Sequence, residues 1–195
     1  MTTRLTNLPV PFTFQFPVTV SGTPEKLQVK RRVTTIAFSE GSGETPSVAL
    51  DAITDSASGF LQAGFQPGDL ITVESTSGLN DGTYTISSVT AGTIRINSDG
   101  DLTTETAVAA GTVKITTSKS VPDGVGVTIK AMYANGGTVT VGYSSASALN
   151  TGVGCFKLRN NESLGLQVHD IGDLWVDATV SGEGLEVIFE KQIQE

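Results

Sequence analysis

The feature that most constrains this chain is a period-two alternation of apolar and polar residues, repeated in short segments that end at glycine, asparagine or aspartate. Residues 12–16 read FTFQF, for example, and residues 139–141 read VTV. Such alternation places one face of a strand in a core and the other in water, and the residues between segments favour turns. With 22 glycines and only 16% charged residues, the sequence predicts an all-β protein and excludes an all-helical one.

The strand signals fall into two groups with different spacing. Residues 32–117 contain five or six short strands around turns such as Asn80-Asp81-Gly82, and this close spacing is typical of a small barrel or curled sheet. Residues 118–195 contain alternating strands with a hairpin signature at residues 134–137, which suits a sandwich of two sheets. Residues 1–11 are polar and contain two prolines, so we expect an extended N-terminal arm.

Charge and composition exclude several classes of partner and site. Twelve Lys and Arg against 20 Asp and Glu give a net charge of -8, which is the wrong sign for gripping nucleic acid backbones. The single Cys155 and single His169 exclude an intrachain disulfide framework and leave too few ligands for zinc. No segment has the apolar length of a signal peptide or a membrane helix. We therefore expect a cytosolic chain with no nucleic acid partner and no membrane.

The residues that could carry catalysis have a simpler interpretation. The Asp99-Gly100-Asp101 segment lacks the ligand spacing of an EF-hand loop, and aspartates in turns usually bond their own backbone. A Cys155/His169 dyad is conceivable, but a small core cysteine and a surface histidine are favoured. We expect no catalytic residue, no cofactor and no metal. The carboxylates considered as acids or cation ligands are Asp51, Asp55, Asp69, Asp81, Asp99 and Asp101.

Two further patterns leave alternatives open. The basic run Lys30-Arg31-Arg32 could dock onto an acidic patch of another subunit, or it could be a solvated junction between domains. The aromatic residues on strands could form a carbohydrate platform, although a tryptophan buried in a sandwich is the more common arrangement. The candidates for that platform are Trp175, Tyr84, Tyr133 and Tyr143.

Two parts of the sequence resemble known proteins. The C-terminal text, which includes VTIKA at 127–131, VTVG at 139–142 and LWVDATVSGEG at 174–184, resembles a β-sandwich module of small tailed-phage structural proteins. The text at 60–71 and NDGTYTI at 80–86 resembles a small β-barrel of phage virion proteins. The segment that usually precedes the module's first hairpin is similar to residues 18–27, near the start of this chain.

The resemblance implies an insertion. We expect a jelly-roll-like β-sandwich built from residues 12–31 and 118–195, an inserted small β-barrel at residues 32–117, and an arm at residues 1–11. It also implies a non-enzymatic capsid decoration or cement protein that is assembled in the host cytoplasm. Its partner would be the major capsid protein on the capsid exterior, and it would form a homo-oligomer, with a trimer as one form.

The alternative that the resemblance leaves open is a tail, neck or fibre/baseplate adaptor that binds host glycan. For the capsid interface, the sequence nominates apolar anchors near the N-terminus and the basic run. These candidate partner-binding residues are Leu5, Leu8, Phe12, Phe14, Lys30, Arg31 and Arg32.

Overall fold

The computed structural model describes residues 10–41, 50–97, 101–149 and 154–191. Every strand pairing within these ranges is antiparallel, and the predicted all-β class is confirmed. None of the described helices is long and apolar enough to cross a membrane. The strands are β1 (Val10–Pro17), β2 (Glu25–Lys26), β3 (Val29–Val33), β4 (Ile36–Ser39), β5 (Ala52–Asp55), β6 (Leu70–Ser75), β7 (Gly82–Val89), β8 (Thr93–Ile96), β9 (Val113–Thr117), β10 (Val127–Ala131), β11 (Val139–Gly142), β12 (Phe156–Leu158), β13 (Ser163–Leu166), β14 (Trp175–Ala178) and β15 (Gly184–Lys191). The helices are α1 (Phe60–Ala63), α2 (Ala107–Ala110) and α3 (Ser145–Ala148), with a 3-10 turn at Ile171–Asp173.

The chain forms two compact units. One combines residues 1–28 with 119–195, and the other is the continuous segment 29–118. The sequence assigned residues 29–31 to the sandwich, but β3 pairs along its whole length with β9, from Val29 opposite Thr117 to Val33 opposite Val113. The strand therefore belongs to the second unit. Its pairing also brings the first and last residues of that unit side by side.

The first unit is a β-sandwich. One sheet has the order β1-β15-β10-β13 and the other has the order β12-β11-β14-β2. The hairpin predicted around residues 134–137 is therefore wrong, because β10 and β11, on either side of that turn, belong to different sheets. In β1 the side chains of Phe12, Phe14 and Phe16 are buried, whereas Thr13 and Gln15 are exposed, as the alternation predicted. The core includes Phe12, Phe14, Phe16, Val127, Ile129, Val139, Val141, Val176, Leu185, Val187 and Phe189.

The prediction of an N-terminal arm at residues 1–11 is wrong at its last two residues. Residues 1–9 lie outside the described residues, while Val10 and Pro11 already pair with β15. The sequence argument was that a proline blocks a central strand. Since β1 lies at the edge of its sheet among the described strands, a residue without an N–H is compatible with the strand there.

The second unit is a single curled sheet of seven strands in the order β3-β9-β6-β7-β8-β5-β4. Its two outermost strands are consecutive in the chain and are joined only by Thr34 and Thr35. Six steps of about 4.8 Å would hold the edges of a flat sheet roughly 29 Å apart, whereas the chain from Val33 to Ile36 spans at most about 11 Å. The sheet must therefore curl until its edges meet. No ladder joins β3 to β4 among the described pairings, so a hydrogen-bonded closed barrel remains a prediction.

Candidate functional site

Four of the six aspartates considered as acids or cation ligands accept hydrogen bonds from backbone amides: Asp51, Asp55, Asp69 and Asp81. Asp51 is buried and accepts the amide N–H groups of Gly41, Asp101 and Leu102 at 2.6 to 2.8 Å. Asp69 accepts the amide of Gln66 at 2.7 Å, and Asp81 accepts that of Ser75 at 2.6 Å. Asp99 lies outside the described residues, which contain no group of three or more metal-ligating His, Cys, Asp or Glu side chains.

The Asp55 side chain connects the two edges of the curled sheet, and we call the place where these edges meet the seam. Its carboxylate accepts Nε of Arg31 at 2.8 Å, the Thr35 hydroxyl at 2.6 Å and the amides of Ala57 and Gly59 at 2.9 and 3.1 Å. Burial raises the pKa of Asp55, but these four hydrogen-bond donors together lower it by more, so the pKa lies below its usual value. Because β3 and β5 lie near opposite ends of the strand order, this ion pair joins the two edges.

The basic run does not form a free cationic cluster. Lys30 is buried, with 8% of its surface exposed. Arg31 is committed to Asp55, since its Nη2 also lies 2.7 Å from Oδ2 of that carboxylate. Only Arg32 of the three is exposed. The interpretation of residues 30–32 as one docking patch therefore needs correction, because one of the three side chains is buried and another is paired with Asp55.

The proposed apolar anchors also divide. Phe12 and Phe14 are buried in the sandwich core, with 5% and 3% of their surfaces exposed, so in the folded chain they are not presented to a partner. Nζ of Lys119 lies 5.0 Å from the centre of the Phe12 ring, and the ring also packs 5.1 Å from that of Phe189. Leu5 and Leu8 lie outside the described residues.

His169 has a surface partner. Its Nδ1 lies 3.3 Å from Oδ1 of Asp123, and both side chains are more than nine-tenths exposed. Cys155 precedes β12 and is half-buried. The expected surface histidine is therefore confirmed, whereas the expected core position of Cys155 is only partly matched.

The strand aromatics have different environments. Val176 faces the core, so Trp175 points to the other face, where it is half-buried with Nζ of Lys26 5.8 Å from its ring centre. The expectation of a tryptophan in the sandwich core is thus wrong, because the alternation put valine there. Tyr84 is half-buried and donates to the carbonyl of Asn80 at 3.0 Å. Tyr133 and Tyr143 are 77% and 56% exposed.

The loops at one end of the sandwich form an exposed and partly apolar surface, which we call the loop surface: residues 18–24, 132–138 and 179–183. Val20, Tyr133 and Val180 lie on it with at least half of each surface exposed. The loops are joined beneath these residues, since Val18 donates to the carbonyl of Glu183 at 2.7 Å and Ser21 donates to Oγ of Ser181 at 3.0 Å. Apolar side chains on loops held in this way are suited to binding rather than to catalysis.

Two buried polar residues fix the loop surface from below, and the sequence analysis did not identify the role of either. Asn135 exchanges two hydrogen bonds with the backbone of Gly184, at 2.9 and 3.0 Å. Glu183 accepts the amide of Gly137 through Oε1, while its buried Oε2 has no hydrogen-bond partner. Asn135 lies in the turn that connects β10 to β11, and Glu183 lies between two glycines. The sequence shows turn-forming residues in both segments, but it does not show that the two segments contact each other.

Comparisons of the chain with protein-family models, with curated proteins and with solved structures find no match.

Proposed function

We propose that this chain is a non-enzymatic structural protein of a tailed-phage virion, a capsid decoration or cement protein. It would bind the outside of the assembled major-capsid-protein shell after synthesis in the host cytoplasm, and it would bind neither nucleic acid nor membrane. A protein that binds only the assembled lattice stabilises that lattice by mass action, and several copies per particle add avidity. The identification with virion proteins depends on the sequence resemblance at residues 60–86 and 127–184.

One structural observation supports a binding role over an enzymatic one. The buried carboxylates Asp51 and Asp55 accept hydrogen bonds from the protein's own backbone, so they serve the fold. The exposed apolar residues Val20, Tyr133 and Val180 instead lie on braced loops. Exposed apolar groups on a rigid support are what an interface requires.

Copy number in the particle tests the position of the protein. Quantitative mass spectrometry of purified virions would measure the molar ratio of this chain to the major capsid protein. A decoration protein gives a ratio of about one or about one third, because it follows the symmetry of the shell. A ratio of a few per cent would contradict the decoration role and favour a component of the neck, tail or fibre.

Removal of residues 1–9 tests the N-terminal arm. The cut leaves β1 complete, so we expect a folded, soluble protein that no longer sediments with capsids. A full-length variant with Leu5→Ser and Leu8→Ser is the matched control, because it removes the apolar anchors but keeps the length of the chain. Undiminished co-sedimentation of the shortened protein would show that the arm does not carry the interface.

An adaptor of the tail, neck or fibre that binds host glycan is the second candidate. The observation that favours it is the 77% exposure of Tyr133 on the loop surface, since an exposed aromatic ring can stack on the apolar face of a sugar. Trp175 is a poorer platform, because Lys26 lies over its ring. The copy-number measurement separates this role from the decoration role.

A further inference from the structure

The outer edge of β1 carries an unusual arrangement of backbone groups. Val18 continues the line of β1 and donates to the carbonyl of Glu183 on the β15 side. Residues of an antiparallel strand point their N–H and C=O groups alternately toward and away from a given neighbour. The even-numbered residues Phe12, Phe14 and Phe16 therefore bond to β15, and the odd-numbered residues point their backbone groups outward.

The register of β15 supports this assignment independently. Met132 donates to the carbonyl of Gly184, so the even-numbered residues of β15 bond toward β10. The odd-numbered residues of β15 are then left to bond toward β1, and their partners there are Phe12, Phe14 and Phe16. The hydrogen bonds of β15 to β1 and to β10 therefore both indicate that the odd-numbered residues of β15 bond to the even-numbered residues of β1.

The outward-pointing residues of β1 are Pro11, Thr13, Gln15 and Pro17. Proline has no N–H, so this edge offers only two donors, the amides of Thr13 and Gln15, together with four carbonyl acceptors. The side chains of both residues are exposed, and no described strand pairs on this side. Prolines on an edge strand limit its extension by other chains, and here they stand three residues to each side of Phe14.

That spacing makes the edge complementary to itself. In an antiparallel pair of β1 strands centred on Phe14, Thr13 of each copy faces Gln15 of the other. The four outward N–H groups then meet four carbonyls. Pro11 faces Pro17, so no N–H is left against a proline. An isologous interface requires a surface that is complementary to itself under two-fold rotation, and the donors and acceptors of this edge meet that requirement.

We propose that two copies of this chain associate through their β1 strands, joining their β1-β15-β10-β13 sheets into one continuous eight-stranded sheet. At the junction, the side chains on the solvent-facing side of the sheet are Thr13 and Gln15, and both are polar enough for an exposed surface. The proposal stands independently of the virion role. It predicts oligomers built from pairs, in place of the trimer considered from the sequence.

Substitution of Thr13 by proline tests the pairing. Thr13→Pro removes two of the four bonds by symmetry, yet it leaves the β15 side of the strand unchanged because the Thr13 amide points away from β15. Thr13→Val is the matched control, because it keeps the amide. In sedimentation equilibrium of the full chain, Thr13→Pro is expected to raise the dimer dissociation constant by about tenfold or more, and Thr13→Val to leave it nearly unchanged.

The wild-type chain must also dimerise with the right dependence on salt. Each copy carries a net charge of -8, so raising sodium chloride from about 0.02 M to about 0.3 M is expected to tighten the dimer by screening the repulsion. A wild-type chain that stays monomeric up to about 1 mM would overturn the proposal. A Thr13→Pro chain that dimerises as well as Thr13→Val would overturn it too.

Disulfide trapping tests the register without placing proline in the strand. In a Cys155→Ser background, Thr13→Cys chains are mixed with Gln15→Cys chains. The two positions face each other at about 5.5 Å between Cα atoms, within disulfide range, whereas identical positions are offset by two residues. Faster cross-linking in the mixture than in either chain alone is expected. Equal rates would overturn the proposed register.

Discussion

At the scale of single residues, the structure shows how aspartates that look like turn residues can hold distant segments together. The prediction that they bond the local backbone is confirmed at Asp69 and Asp81. Asp51 instead bonds the amides of Asp101 and Leu102, about fifty positions away in sequence. Asp55 does both, since it bonds the nearby Ala57 and the distant Arg31. A buried carboxylate with several donors rigidifies the segments that supply them.

Asp55→Asn tests the seam of the second unit. The amide keeps the shape of the carboxylate but loses its charge and turns an NH2 group toward existing donors. We expect the free energy of unfolding to fall by about 3 kcal/mol at neutral pH, because a nearly buried ion pair loses one partner. Urea denaturation measures the change. Arg32→Ala, which alters an exposed neighbour of Arg31, should change stability by less than about 0.5 kcal/mol.

The pH dependence of the same pair has a defined sign. The folded-state pKa of Asp55 lies below its usual value of 3.8, so its stabilising contribution is fully present above that value and is lost as pH falls through the lower folded-state pKa. The difference in unfolding free energy between wild type and Asp55→Asn should therefore shrink as the pH falls below 3.8. A difference that stayed constant down to pH 2 would contradict this ionisation as its source.

At the scale of elements, the strand β11 and the short helix α3 are in close contact. All four residues of β11 are buried, and the Thr140 hydroxyl donates to the carbonyl of Ala148 at the end of α3. Gly142 lies under that helix, where a Cβ atom would stand 2.8 Å from the amide nitrogen of Ala148 and 2.9 Å from the carbonyl carbon of Ser147. The glycine is thus required by the approach of the helix rather than by a turn.

Gly142→Ala and Gly165→Ala form a matched pair that tests this packing. The added methyl at position 142 meets helix backbone, which cannot move as a side-chain tip can, so we expect a loss of about 1–3 kcal/mol. At position 165, on the edge strand β13, a Cβ atom meets nothing within 4 Å. Thermal unfolding of Gly165→Ala should match wild type, and equal losses in both variants would contradict the role of α3.

At the scale of the whole molecule, the second unit interrupts the sequence of the first, and the two ends of the second unit lie side by side. Val29 and Thr117 are paired across β3 and β9, so the chain leaves the second unit next to the point where it entered. An inserted unit with adjacent ends places little strain on its host. The first unit in turn needs both parts of its sequence, since β1 pairs with β15 from Val10 opposite Lys191 to Pro17 opposite Gly184.

We expect residues 29–118 to fold when expressed alone. Its seven strands pair only with one another among the described residues, and its apolar core includes Ile36, Ile53 and Ile115, each fully buried. A dispersed amide spectrum by nuclear magnetic resonance and a cooperative thermal transition are the expected observations. Residues 119–195 alone are the control and should not fold cooperatively, because they lack β1 and β2. A disordered 29–118 fragment would contradict the independence of the unit.

The sequence alone is enough to predict the all-β class, the alternation of side chains along strands such as β1, and a turn near residues 134–137. These features depend on local periodicity and on the backbone preferences of single residues. It also led to interpretations that failed at Phe12, Phe14, Arg31 and Trp175. Periodicity identifies two faces of a strand, but it does not state which face meets a core, a neighbouring strand or water.

Which strands are neighbours is known only from the folded structure, and those neighbours determine whether each candidate residue is buried, paired or exposed. The Arg31 charge is taken up by Asp55 because the seven-stranded sheet curls until its edges meet. Phe12 and Phe14 belong to the core because a strand at the other end of the chain pairs with β1. Pairing between segments far apart in sequence depends on burial shared by the whole fold, and no local pattern encodes it.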